Sequence, residues 1–290
     1  MKVAGFTFVR NAVKYDYPIV EAITSILPIC DELVVAVGNS EDETLELVRS
    51  IGSPKIKIIE TVWDDSLREG GQVLAIETNK ALAAISLDAD WAFYIQGDEV
   101  VHERYLPTIR AAMEQHLTNP EVEGLLFHYL HFFGSYRYVG DSVRWYRREI
   151  RIVRNNQQVT SYRDAQGFRT LSNQKLKVKL IDAYVYHYGW VRTPERMRAK
   201  LSDFQQYWYN DEEMTAIRQE AEQFDYSEVD ALRLFEGTHP AVMQERIHRM
   251  AWVFDFDVRQ KKLSFKNRLK AAIERWTGLR IGEYRNYKLV

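Results

Sequence analysis

With 290 residues, 46% of them apolar and 28% charged, the chain has an ordinary globular composition and room for one large α/β domain, with or without an appendage. No run approaches the ~18 uncharged apolar residues of a membrane-crossing helix, and the opening MKVAGFTFVRNAVKY lacks the separate regions of a signal peptide, so a cytoplasmic location is expected. The single cysteine, Cys30, excludes an internal disulfide and a Cys-rich zinc site, and the net charge of -2 divides into +8 on residues 259–290 and -10 on the remainder.

In chain order, "KVAGFTFV" (2–9) reads as a strand, and "YPIVEAITSILPI" places Ile19, Val20, Ile23, Ile26 and Leu27 on one helix face. "ELVVAV" (32–37) is a second strand, and "EDETLELVRSIG" a helix closed by Gly52. "KIKIIETV" (55–62), "GGQVLAIETNKALAAI" and "WAFYI" continue the alternation, which predicts right-handed crossovers and a parallel sheet covered on both faces. After a helix near 103–117 the pattern changes to longer strands at 122–134, 148–155 and 175–189, hence a mixed sheet. Beyond Pro194 the expectation is helical: a long segment into the 220s, then segments near 227–236, 239–253 and 260–277. The organisation expected is residues 1–100 and 101–193 as two halves of one domain and 194–290 as a helical extension.

Ligands of such sheets bind outside the carboxyl ends of the strands. Four loops lie at that edge: "RNAVKYDY", "GNSEDE", "WDDSLREGG" and "QGDE". The last delivers Asp98 and Glu99 from a buried strand, which suits Mg2+ or Mn2+ bridging diphosphate oxygens, since these cations take oxygen ligands and use few protein carboxylates beside phosphates. In "SLREGGQ", Arg68 offers a cation, and Gly70, Gly71 and Gln72 open a helix whose N-terminus favours an anion. Arg10 and Asn11 are candidates for the base or ribose pocket, with Asn39 beside them. His128 and His131 lie three apart, on opposite faces of a strand, and read as structural. Cys30 reads as core.

The first hundred residues resemble the nucleotide-binding half of the family 2 glycosyltransferases, which have the GT-A fold. "FTFVRNAVKYDYPIVEAITSIL" is similar to the family's opening strand, Asn-containing loop and first helix. "VGNSEDETLELV" is similar to its Gly-Ser-Thr-Asp-Gly-Thr turn, with Ser40, Asp42 and Thr44 in matching places, and "YIQGDEVV" occupies the position of its Asp-X-Asp motif. "RIVRNNQQVTSYRDAQGF" and "VYHYGWV" resemble its acceptor-side segment and a His-Tyr-Gly motif, so the resemblance covers roughly residues 1–195. It implies a Rossmann-type mixed, mainly parallel sheet flanked by helices, a nucleotide-sugar donor and a glycan or lipid-linked hydroxyl acceptor. It implies further that Asp98 and His187 hold Mn2+ or Mg2+, that Gln96 and Asn79 are donor-side residues, and that Asp164 is the base of an inverting transfer; Glu149 and Glu99 are the alternatives.

Three positions depart from the family pattern. Gln96 replaces the first acid of Asp-X-Asp, Val37 and Gly38 replace the acids that close strand two, and no unmistakable motif surrounds the acceptor-side acid. The competing readings are a sugar-nucleotide-binding or scaffold protein of the same fold, and a nucleotidyltransferase, against which "VRNAVKYD" lacks the Gly-rich run and following Lys. The stretch "RQKKLSFKNRLKAAIERWTG" (259–278) reads as a basic amphipathic helix, able to lie on an anionic membrane or to pack its apolar side onto the domain. Nucleic acid is not expected as a partner, because the rest of the chain is acidic.

Overall fold

The computed structural model describes residues 1–67, 70–205, 207 and 224–290. β1 (Val3–Val9), β2 (Glu32–Gly38), β3 (Ile56–Thr61) and β4 (Trp91–Tyr94) form the parallel part of one eleven-stranded sheet, in the spatial order β4-β1-β2-β3. The residues of β1, β2 and β4 are almost all buried on both faces, as their continuous Val, Phe, Ala and Trp runs require. α1 (Ile19–Ile26) buries Ile19, Ala22, Ile23 and Ile26 against one face of the sheet, and the longer α3 (Gln72–Ala83) packs on β1 and β2. Between them α2 (Thr44–Arg49) spans two turns, and Gly52 follows its end with a left-handed φ of 65°.

The sheet becomes antiparallel where β8 (Arg148–Arg154) pairs with β4. β6 (Gly124–Phe133) lies beyond β8 and pairs along its other edge, in parallel, with β11 (Leu176–Trp190), the longest strand. Four strands too short to announce themselves complete this region. β5 (Glu99–Val101) runs antiparallel to β11, β7 (Ser135–Gly140) folds back from β6, and β9 (Val159–Tyr162) with β10 (Gly167–Thr170) forms a separate hairpin. α4 (Leu106–Gln115) covers the sheet with Ile109, Ala112 and Met113.

The C-terminal part departs from the helical expectation. α5 (Pro194–Gln205) is present, and most of the remainder of that segment lies outside the described residues. The expected helix at 227–236 is instead a short 3-10 turn at Tyr226–Glu228 and β12 (Leu232–Leu234), which adds to the free edge of β7. Of 239–253 only α6 (Gln244–Arg249) is α-helical. Trp252, Phe254 and Phe256 then recur at a period of two and pack on Tyr138, Tyr226 and Phe133, a pattern that an extended chain satisfies and a helix does not. α7 (Phe265–Thr277) matches the last expected helix, and β13 (Tyr287–Leu289) joins β11 in parallel.

Candidate functional site

Asp98 follows β4 and immediately precedes β5. The antiparallel register of β5 with β11 sets His187 opposite Glu99, and the Tyr188 N–H donates to the Asp98 carbonyl at 2.8 Å. The imidazole of His187 therefore stands beside the Asp98 carboxylate, Nε2 to Oδ1, at 3.8 Å. Gly189 makes this approach possible: a Cβ there would lie 2.5 Å from the His187 ring and 2.7 Å from Asp98 Oδ2. The small residue of the His-Tyr-Gly stretch is thus demanded by the contact beside it.

Lys200, arriving on α5, donates to Asp98 Oδ2 at 3.1 Å. Burial acts to raise the Asp98 pKa, but Lys200, His187 and Arg192 outweigh it and hold the carboxyl well below the usual carboxylate range. Burial and the neighbouring Arg192 bring the Lys200 ammonium down to about 8 against the pull of Asp98. Behind His187, His131 occupies the adjoining register position of β6. The Tyr146 carbonyl can only accept, so His131 donates to it from Nε2 at 2.9 Å. Burial keeps both imidazoles below their ordinary pKa, hence neutral. A neutral His131 then accepts at Nδ1 from His187 Nδ1–H, 3.2 Å away, and leaves the His187 lone pair on Nε2, the atom facing Asp98. His128, by contrast, stacks on Tyr184 at 4.8 Å, away from this cluster.

The cavity containing Asp98, His187 and Lys200 extends to an aromatic end formed by Phe8, Trp63 and Tyr207, with Arg10 5.5 Å above the Trp63 ring. Trp63 Nε1 is buried and, among the described residues, has no hydrogen-bond partner. Gly38 explains the departure at the end of β2, since any side chain there would overlap the Trp63 indole. A second cavity, lined by Trp145, Tyr146, Glu149, Lys270 and Tyr284, shares Gln96 and Asp164 with the first. Asp164 sits between two residues of left-handed backbone, Arg163 (φ 55°) and Ala165 (φ 62°), and its Oδ1 is buried without a partner among the described residues. Burial raises its carboxyl pKa.

The structure brings together Asp98, His187, Gln96, Asp164, Arg10 and Asn11 from the sequence expectations. It gives several of them other work. Asn11 accepts from Glu41 N–H at 2.8 Å, and Asn39 accepts from Trp63 N–H at 3.1 Å, so both amides hold loops at the pocket rim. Arg10 is ion-paired with Asp65 at 2.6 Å. Gln96 donates to the Ala165 carbonyl at 3.3 Å and ties the Asp164 loop to β4. The Gly71 N–H is not available to a phosphate, since it donates to the Tyr207 carbonyl at 3.1 Å, and Gln72 is exposed outside the cavity. Asn79 lies elsewhere, accepting from Ser161 N–H at 2.8 Å and lining a different cavity. Arg68 falls outside the described residues.

Glu99 is removed from the candidate bases. It is fully buried, takes two hydrogen bonds from Arg151 at 2.8 and 2.7 Å, one from Tyr129 and one from the Gln96 N–H, and has no oxygen left for a substrate. Glu149 is partly buried, and loss of hydration, with Glu99 and Asp164 nearby, pushes its pKa up to about 8, so it is protonated at neutral pH. Sequence reasoning missed Trp63, Tyr207 and Lys200 and assigned His131 to structure alone. The Trp63 signal was the indole two residues beyond the end of β3; Lys200 carries no local signal.

Whether these residues suit a divalent cation is decided by the donor set. Asp98 Oδ1 and the free lone pair of His187 Nε2 are two adjacent donors of the right chemistry, and such an ion takes its other ligands from diphosphate and water. Lys200 occupies the other carboxylate oxygen and leaves these two exposed to the cavity. Among the described residues there is no cluster of three or more His, Cys, Asp or Glu that would enclose a cation by itself. The residues therefore fit a cation brought with a phosphate ligand.

No protein-family model and no curated protein matches the chain. Among solved structures, it is similar to S. aureus TarS, with a TM-score of 0.42, 15% identity, and 70% of this chain and 39% of that one covered. A shorter form, TarS 1–349 in complex with UDP, gives 0.40 at 16% identity, over 70% and 64%. Glucosyl-3-phosphoglycerate synthase from Mycobacterium tuberculosis, in complex with Mn2+, UDP and phosphoglyceric acid, gives 0.31 at 21% identity, over 45% and 43%. The chain spans less than two thirds of the length of these structures.

Proposed function

We propose that the chain is a glycosyltransferase of the GT-A type that moves a sugar from a nucleotide-sugar donor to a hydroxyl acceptor with inversion. The observation that carries this reading is the meeting of two cavities at Asp164 and Gln96, one lined by aromatic rings and the Asp98–His187–Lys200 cluster, the other open to a second substrate. Trp63 and Tyr207 offer flat faces to a base. Asp98 and His187 would hold Mn2+ or Mg2+, which when bound neutralises charge on the departing diphosphate. The Lys200 ammonium adds a second positive charge at the same place.

Asp164 is the acceptor-side base in this reading. Asp164 borders both cavities, where it can take the proton of an acceptor hydroxyl, and its raised pKa strengthens it as a base. The free space of the first cavity is about 140 Å3, well below what a nucleotide-sugar needs, so the contacts of Lys200 with Asp98 and of Tyr207 with Trp63 must part when the donor enters.

The test is calorimetry with UDP-, GDP-, dTDP- and CMP-sugars, with and without Mn2+, on the wild type and on Asp98→Ala. One nucleotide class should bind in a metal-dependent way, and the variant should bind it about a hundredfold more weakly, or roughly 2.7 kcal/mol. No binding by any of the four classes would sink the proposal. Binding with no hydrolysis or transfer would instead favour the scaffold reading, for which the Gln96 amide tied to Ala165 speaks.

A further inference from the structure

α7 is amphipathic in the wrong direction for a helix that packs onto its own protein. Its side toward the body carries Asn267, Lys270, Ala271 and Glu274, anchored by Glu274 to Arg147 at 2.8 Å and to Arg280 at 2.9 Å. The opposite side carries Phe265, Leu269 and Trp276, which are 85%, 55% and 90% exposed, and Leu279 continues the stripe beyond the helix end. None of its residues is buried. A helix whose stability came from the protein core would turn those side chains inward. Its ends are formed locally: Ser264 accepts from Asn267 N–H at 3.3 Å, and Gly278 closes the helix in the left-handed conformation.

The border of the apolar stripe is cationic, with Lys266 on one flank and Arg268 and Arg275 on the other, all exposed. We infer that α7 is a docking helix that lies in the interface of an anionic lipid surface. Phe265, Leu269 and Trp276 enter the acyl boundary, and the three cations meet phosphate headgroups. The charge complementarity selects this occupant over a second copy, because pairing two such helices would bring two strongly basic segments together. Among the described residues no helix is long and apolar enough to cross a membrane, so the contact is peripheral. The inner face of the same helix borders the second cavity through Lys270, beside Arg280 and Tyr284, and that cavity reaches Asp164. Resting on the transferase reading, this places the acceptor hydroxyl on a lipid-anchored molecule whose head group enters beneath α7.

Sedimentation with phosphatidylcholine vesicles, with and without phosphatidylglycerol, tests the docking directly. The wild type should bind the anionic vesicles, and binding should fall as salt is raised. Phe265→Ser/Trp276→Ser should weaken it at least tenfold with an unchanged melting temperature, and Lys266→Gln/Arg268→Gln/Arg275→Gln should erase the preference for the anionic lipid. A reporter dye on Trp276→Cys, read against the buried Cys30, should shift to shorter emission wavelength on binding. Absence of vesicle binding, equal binding by the double variant, or a wild-type dimer that the double variant dissociates would overturn the inference. Vesicle binding without any nucleotide-sugar binding would keep the docking helix and remove the transferase reading, so the two fail separately.

Discussion

Glu149 shows how its surroundings convert a side chain into a pH-dependent element of stability. Its carboxyl rises from an ordinary 4.5 to about 8 in the folded state, chiefly by burial and further by Glu99 and Asp164. Between those values the folded protein holds a proton that the unfolded chain releases, so its favourable contribution is complete below about 4.5 and is lost as pH rises through about 8. Urea unfolding at a series of pH values should show the wild type losing on the order of 4 kcal/mol across that window from this group, and Glu149→Gln should remove most of the slope. A slope unchanged in the variant would mean that Glu149 ionises normally. His131 acts through its neighbour, not on substrate. His131→Phe deletes the acceptor for His187 Nδ1–H and frees His187 to take either tautomer, and should weaken Mn2+ binding 10- to 100-fold. The signal of Mn2+ in electron paramagnetic resonance reads this without turnover, and His131→Gln, which retains an acceptor, should recover part of it.

At the scale of elements, α5 carries Lys200 to Asp98 and is itself held by Asp203, which receives the Tyr15 hydroxyl at 2.7 Å and pairs with Lys14 at 2.8 Å. In the proposed reaction these contacts loosen as the donor enters, so Asp203→Ala should raise the donor association rate several-fold in stopped-flow binding. An unchanged rate would show that α5 does not gate entry. This arrangement also marks where the sequence stops being readable. β1 to β4 and α1 to α3 are legible because their apolar runs and 3.6-residue spacings are local properties. β5 is only three residues long and exists because β11, some 85 residues later in the chain, offers it an edge; that pairing is what brings His187 to Asp98. Lys200 and Tyr207 are ordinary residues of a polar helical stretch until the fold lays them over the strand ends. Asp98 stands out in the sequence because a strand end is visible in one dimension, and Asp164 only through the family resemblance. The engagement of Gly71 with the Tyr207 carbonyl does not stand out, since its partner lies more than a hundred residues away.

Across the whole molecule, the Glu99–Arg151 pair ties together two strands that the sheet does not pair directly. Glu99 lies on β5 and Arg151 on β8; both are almost wholly buried, with the guanidinium between the Tyr94 and Tyr129 rings at 5.2 and 5.3 Å. The pair's net contribution is modest, because taking both charges out of water offsets much of their attraction. Losing one partner is a different matter: Arg151→Met strands a buried carboxylate and should cost about 3–5 kcal/mol in urea unfolding, whereas Glu99→Gln/Arg151→Met should regain much of that loss. Glu99 also accepts from the Gln96 N–H, two residues before Asp98, so the same single substitution should displace the strand end and weaken donor binding, while the double variant keeps an acceptor for that N–H. If Arg151→Met lost stability but bound donor as tightly as the wild type, the pair would be a bolt of the sheet alone. A parallel fall in both would mean that the packing of β5 on β8 and the position of Asp98 depend on one interaction.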